Sequence, residues 1–157
     1  MTPMLPIALD HAGIEALVPH RGTMCLLDRV TCWDEARIDC IAINHRDPGH
    51  PLRSRSGLLA SAAIEYAAQA AAVHGGLIAR AAGARARPGY LASARDVRLA
   101  TWRLDDLPAA DIDELQVAAE RQAGDATRLL YAFSVAHAGR EIAAGRLAVI
   151  LNATPSS

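Results

Sequence analysis

The sequence predicts an α+β fold in which an antiparallel β-sheet wraps around one long central helix. Two observations carry this. One stretch, Leu58 to Ala82, reads as a long helix: it lacks Pro, is dense in Ala, and ends near Gly83 with Arg80 in its last turn. The remaining regular segments are β-like, two before the helix and four after, which is not the βαβ alternation of a parallel sheet.

The elements follow in order. Pro6 to Pro19 is a lead-in with a short helix around Gly13 to Leu17. Strands are expected at Met24 to Thr31 and Ala36 to Asn44, with Asp34-Glu35 as the hairpin turn. In the second run Ile38, Cys40, Ala42 and Asn44 oppose Asp39, Ile41 and Ile43, the alternation of a strand. His45 to Ser56, rich in Pro, Gly, Arg and Ser, reads as a loop. On the helix, Ala60, Ala63, Ala67, Ala68, Ala71 and Ala72 lie on nearly every side, which places it in the interior and lets neighbours approach its backbone. Gly75-Gly76 marks a bend or a close contact. Strands are then expected at Tyr90 to Leu99, Glu114 to Gln122, Arg128 to His137 and Glu141 to Leu151. Turns at Gly124-Asp125 and Ala138-Gly139 make the last three a meander.

Composition bounds the function. A chain of 157 residues suits a single domain, with a core spanning about 17–151. Hydrophobic residues make up 52% and charged ones 21%, which excludes disorder. Sixteen basic against 17 acidic residues give a net charge of −1, so there is no bulk basic field for nucleic acid. All the basic residues are Arg; no Lys occurs. No secretory signal and no membrane span is read, and the expected location is cytoplasmic. Cys25, Cys32 and Cys40 match no zinc spacing and are expected as small buried hydrophobes.

Two places stand out chemically. The loop Asn44-His45-Arg46-Asp47-Pro48-Gly49-His50-Pro51 carries two histidines just before the helix. Ile64-Glu65-Tyr66-Ala67-Ala68-Gln69 puts an acid and an amide, four apart on one face, on an otherwise apolar helix. An ionisable group there is costly unless partnered or neutralised, so Glu65 is either a site residue or a carboxylate satisfied at a rim.

These residues also carry a resemblance. Val18-Pro19-His20-Arg21 followed by Met24-Cys25-Leu26-Leu27-Asp28-Arg29-Val30 is similar to the opening of the bacterial 3-hydroxyacyl-[acyl-carrier-protein] dehydratases of the hotdog fold. Ile64-Glu65-Tyr66-Ala67-Ala68-Gln69-Ala70 resembles their central-helix motif, in the form found in the aryl polyene biosynthesis branch. Arg87-Pro88-Gly89-Tyr90-Leu91 and Gly145-Arg146-Leu147 extend the similarity over roughly Leu17 to Leu151.

The resemblance implies a dimer, homomeric or with a hotdog paralogue, whose sheets join side by side, and active sites where a loop His of one subunit faces a helix acid of the other. The matching positions are His50 and Glu65. Neutral imidazole suits removal of the proton α to a thioester carbonyl, and a protonated carboxyl suits donation to the departing β-hydroxyl. The product is the trans-2-enoyl thioester. No metal or resident cofactor is implied; the substrate rides on the phosphopantetheine of an acyl carrier protein. Ala60 or a neighbour would supply the backbone N–H for the enolate oxygen, and Gln69 and Tyr90 would contact substrate. This chain departs from the better-known dehydratases: Pro51-Leu52-Arg53 follows His50 where they have Phe-Pro-Gly, and Leu59-Ala60 replaces a Pro-Gly pair.

Other histidines are given lesser roles: His45 as an alternative base, His20 in ordering its loop, His74 in the core at the helix end, and His11 and His137 at the surface. Arg53, Arg55, Arg80, Arg85, Arg87, Arg95 and Arg98 form either a solvated surface or a docking face for an acidic carrier, with Arg85 and Arg87 its chief candidates. Two other functions share the fold: a non-catalytic subunit paired with a dehydratase paralogue, and a hotdog acyl thioesterase.

Overall fold

The computed structural model describes residues 9–18, 22–85 and 87–151. A short helix α1 (His11–Glu15) leads to strands β1 (Arg29–Trp33) and β2 (Arg37–Ala42), and a single 3₁₀ turn (Ala60–Ala62) opens the long helix α2 (Ala63–Ala81). Strands β3 (Gly89–Leu99), β4 (Leu115–Gly124), β5 (Arg128–His137) and β6 (Arg140–Leu151) complete the chain. All six strands form one sheet in the order β1-β2-β4-β5-β6-β3, every pair antiparallel. Helix α2 packs against β2, β4 and β5, as the sequence predicts for a wrapped helix.

Alternation builds the core. On β5, Leu129, Tyr131, Phe133, Val135 and His137 are buried, and the residues between them are more open. Helix α2 turns Ala63, Tyr66, Ala67, Ala70, Ala71, Val73, His74 and Leu77 inward. Its Ala72 and Arg80 are exposed, so the helix keeps a solvent stripe and is not buried all round.

Three expectations need correction. The first strand starts at Arg29 rather than Met24, because Gly22–Met24 forms a 3₁₀ turn and the Leu26 N–H donates to the side chain of Gln69 instead of to a neighbouring strand. The helix starts later than Leu58, because Leu59 is extended and bridges to Arg103, and the Leu58 carbonyl accepts from the Leu104 N–H. His137 is not at the surface: the period of β5 points it inward, where it is 4% exposed. Cys25 and Cys40 are buried as expected, whereas Cys32 is half-buried beside Asp39. Among the described residues no helix is long and apolar enough to cross a membrane.

The paired glycines differ in surroundings. A Cβ on Gly75 would meet open space; on Gly76 it would lie 3.3 Å from the Leu17 Cβ, so the turn after α1 sits directly on the helix backbone. Gly75→Ala is expected to raise the unfolding free energy by about 0.5–1 kcal/mol, and Gly76→Leu to lower it, in urea titrations.

His74 is fully buried and satisfied as a neutral ring. Its Nε2–H donates to the Asp34 carbonyl at 2.8 Å and its Nδ1 accepts from the Tyr131 hydroxyl at 2.8 Å. Burial lowers its pKa, and the Asp34 bond opposes that only in part. In the unfolded chain the ring titrates near its usual value of about 6.5, so below that pH the unfolded state binds more protons than the native one. The stability present at neutral pH is lost as the pH falls through that value. A melting-temperature series from pH 7.5 to 5.5 is expected to show this fall, and a smaller one in His74→Gln.

Candidate active site

The loop after β2 is built by its own sequence. In Asp47-Pro48-Gly49-His50, the His50 N–H donates to the Asp47 carbonyl at 3.1 Å and the Asp47 carboxylate accepts from the Gly49 N–H at 2.8 Å. Pro presets the second position of such a turn and Asp fastens it through its side chain. The turn delivers His50 into the fold, 4% exposed.

There the imidazole meets helix α2. Its Nε2 lies 2.9 Å from the Tyr66 hydroxyl, which in turn donates to Asn44 Oδ1 at 2.6 Å. Its Nδ1 accepts from the Leu52 N–H at 3.0 Å. With Nδ1 an acceptor, the neutral ring carries its proton on Nε2, and a directed chain runs from His50 through Tyr66 to Asn44. Burial holds the His50 pKa below the usual histidine value, against a smaller opposing effect of Asp47. His50 is therefore a free imidazole at neutral pH. It forms part of the wall of a cavity of about 370 Å³, with Asn44, Gly49, Pro51, Leu26 and His11.

Glu65 is in the first turn of α2, where a carboxylate complements the helix dipole, and it is half-buried. It accepts from Gln69 Nε2 at 3.3 Å and is not among the residues lining the His50 cavity. Helix geometry turns adjacent side chains about 100° apart, so the chain that places Tyr66 against His50 aims Glu65 elsewhere. Within one chain His50 and Glu65 do not meet.

The expected substrate contacts fare differently. The Ala60 N–H donates to the Trp102 carbonyl at 2.9 Å, so that donor is spent within the chain. Gln69 is 1% exposed and fully used: its Oε1 accepts from the Leu26 N–H at 2.8 Å and its Nε2 donates to the Met24 carbonyl at 2.9 Å. It ties the helix to the segment before β1. Tyr90 is 57% exposed on β3, away from the His50 cavity. Arg85 is exposed, but the Arg87 guanidinium donates to the Ala126 carbonyl, which commits it to the β4–β5 turn. His20 lies outside the described residues.

His45 and His137 enter a cluster with no local sequence signal. Asp113 Oδ1 accepts from His45 Nε2 at 3.1 Å and His137 Nε2 at 2.8 Å. Arg46 donates to Asp113 Oδ2 from Nε at 2.6 Å, and its other nitrogens reach the carbonyls of Asp105, Leu107 and Pro108. The three ligand-type atoms of His45, Asp113 and His137 lie within 4.8 Å of one another. The guanidinium already neutralises the carboxylate a cation would need, so the cluster is a clamp holding the start of the His50 loop to β4 and β5. The Arg46 pairing, with the two imidazole bonds, holds the Asp113 carboxyl well below the usual carboxylate range.

The family model described as ApeP-like, ApeP dehydratase, matches residues 12–156. The chain belongs to the ApeP-like dehydratase family. Its Ile64–Gln69 motif agrees, resembling the aryl polyene branch of the dehydratases. No curated protein matches the sequence. Among solved structures, the dehydratase heterocomplex ApeI:P from Xenorhabdus doucetiae is similar at a TM-score of 0.77 and 22% identity, covering 90% of this chain and 91% of that one. A thioesterase family protein from Silicibacter pomeroyi follows at 0.59 and 12%, covering 87% and 93%. A hypothetical thioesterase from Streptococcus pneumoniae, solved with coenzyme A, is similar at 0.55 and 10%, covering 81% and 87%. These likenesses establish the hotdog fold of this ApeP-like chain.

The clamp gives a stability test. Asp113→Ala removes the acceptor of a guanidinium and two buried imidazoles, and is expected to cost about 1–3 kcal/mol. Faster amide exchange confined to residues 44–52 would accompany it, and Asp113→Asn is expected to fall between the two.

Proposed function

We propose that this ApeP-like chain is one subunit of a dehydratase that removes water from a carrier-bound 3-hydroxyacyl thioester to give the trans-2-enoyl product. The observation that carries this is the neutral, buried His50 in the wall of a cavity, fixed by Tyr66 and the Asp47–His50 turn. A free imidazole is the base that α-proton removal needs near pH 7. Glu65, on the helix and outside this cavity, suits donation to the departing hydroxyl of a site completed by a second chain. As arranged, Nδ1 holds the one lone pair and Nε2 the proton, so acting as base through Nε2 requires the other tautomer, with the proton on Nδ1 and the Leu52 contact opened.

The edge of the sheet supports a second chain. Strand β3 is last in the sheet order, eleven residues long and largely exposed, with Tyr90, Leu91 and Leu99 open to solvent. Such an edge invites strand pairing. The solved relative is itself a heterocomplex, which favours a hotdog paralogue over a second copy as the partner.

Two observations favour a second reading, a non-catalytic subunit that shapes its partner's site: the His50 lone pair faces Leu52, and the Ala60 N–H is spent on Trp102. A single assay separates the readings. The chain is incubated with 3-hydroxyacyl carrier protein, alone and with a candidate hotdog partner, and loss of water is followed by mass. Dehydration reduced at least about 100-fold by both His50→Ala and Glu65→Gln is expected, within the usual contribution of general acid–base groups. Activity that needs the partner and ignores both changes would establish the non-catalytic reading, and release of free acid would make the protein a thioesterase.

A further inference from the structure

We propose that the outer face of the sheet carries a site for a phosphate group on a phosphopantetheine arm, formed by Arg95, Arg128 and Arg146. The choice of this arm rests on the carrier-bound thioester proposed above; the anion site itself rests on the sheet.

Alternation fixes which side chains point outward. Ala94, Tyr131 and Leu147 pack toward the helix, so Ser93 and Arg95 on β3, Arg128 and Leu130 on β5, and Arg146 and Ala148 on β6 share the opposite face. Ser93, Ala148 and Leu130 lie in one row across the three strands. In the row beside it Arg95 stands directly opposite Arg146. Like charges placed directly opposite across an antiparallel pair are destabilising, their Cα atoms only about 4.5–5.5 Å apart.

Little in the chain relieves this. Asp96 is 3.9 Å from Arg146, but their side chains are 70% and 74% exposed, and an ion pair that open to water contributes little. The three arginines instead surround a cavity of about 250 Å³ together with Ser93 and Gln122, above Leu130 and Ala148, and among the described residues no acidic side chain lines it. A chain of net charge −1 thus gathers three guanidiniums around one concavity, opposed by exposed acids at its margin, Asp96 near Arg146 and Asp125 near Arg128.

The chemistry selects the occupant. Planar guanidinium forks match phosphate oxygens two at a time, and a hydroxyl and an amide add neutral donors. The small apolar floor suits the branched aliphatic segment that adjoins the phosphate in a pantetheine arm. Pairing along the β3 edge uses backbone groups in the plane of the sheet, which leaves this face open.

The test is calorimetry on the full-length protein at low salt, with coenzyme A, pantetheine, inorganic phosphate, and holo and apo carrier protein. Coenzyme A is expected to bind and pantetheine to bind at least about tenfold more weakly; Arg95→Gln and Arg146→Gln should each weaken coenzyme A by about tenfold, the equivalent of one charge-assisted hydrogen bond. Holo carrier should bind more tightly than apo carrier. Because each substitution relieves the opposed charges, neither should lower the melting temperature, which separates lost binding from lost folding. Equal affinity for coenzyme A and pantetheine would overturn the proposal. So would phosphate-dependent binding that ignores both substitutions, or apo carrier binding as tightly as holo, which would mean recognition of acidic side chains. Binding is read without an acyl group, so its failure leaves the dehydration proposal standing, and failure of dehydration leaves the binding result unchanged.

Discussion

The structure depends on burying an Ala-rich helix while leaving none of its buried polar side chains unsatisfied. Small side chains bring the backbone of α2 close to its neighbours, which favours packing but removes room for water to solvate what is buried. Three buried polar side chains interrupt its apolar face, and each is paired to a different part of the fold. Gln69 bonds the segment before β1, His74 bonds Tyr131 on β5 and the carbonyl of Asp34, and Tyr66 bonds the His50 loop. A buried polar group costs most when its partner is absent, so these pairs discriminate against other helix rotations more strongly than apolar packing does.

The site inherits its order from those pairs. The His50 loop is held at one end by the Asp113 clamp, in the middle by its Asp47–His50 turn, and at the helix by Tyr66. Its far end is fixed as well, since buried Asp105 accepts from the Leu58 N–H and from both nitrogens of an Arg103 fork. The Arg103 contact drives the Asp105 carboxyl well below its ordinary range. An imidazole so restrained holds one tautomer, and the same restraint sets the conditions on which it takes a proton.

Much of this was legible in the residues. The strand Arg128 to His137 has strict alternation and a glycine turn at each end, so its bounds agree with the sequence reading. Extending the same alternation to its last residue would have placed His137 inside. Met24 to Leu27 reads as strand because its residues are apolar, but Cys25, Leu26 and Leu27 are buried outside any strand, and nothing local reveals that Gln69 captures the Leu26 N–H from 43 residues away. Tyr66 carried a readable signal, a hydroxyl-tipped ring on a face of Ala beside the acid. Asp113 carried none, since it gains its meaning only when two strands and a loop converge on it.

The open edge of β3 has one more consequence, for how the chain is made in a cell. The outer side of this eleven-residue strand, unpaired while the other side bonds β6, forms a template that any extended segment can join, including another unfinished copy. Where a second chain pairs along it, as proposed above, the edge is protected and binding contributes to the stability of both chains, so the folded yield would depend on how soon and in what ratio that chain is made.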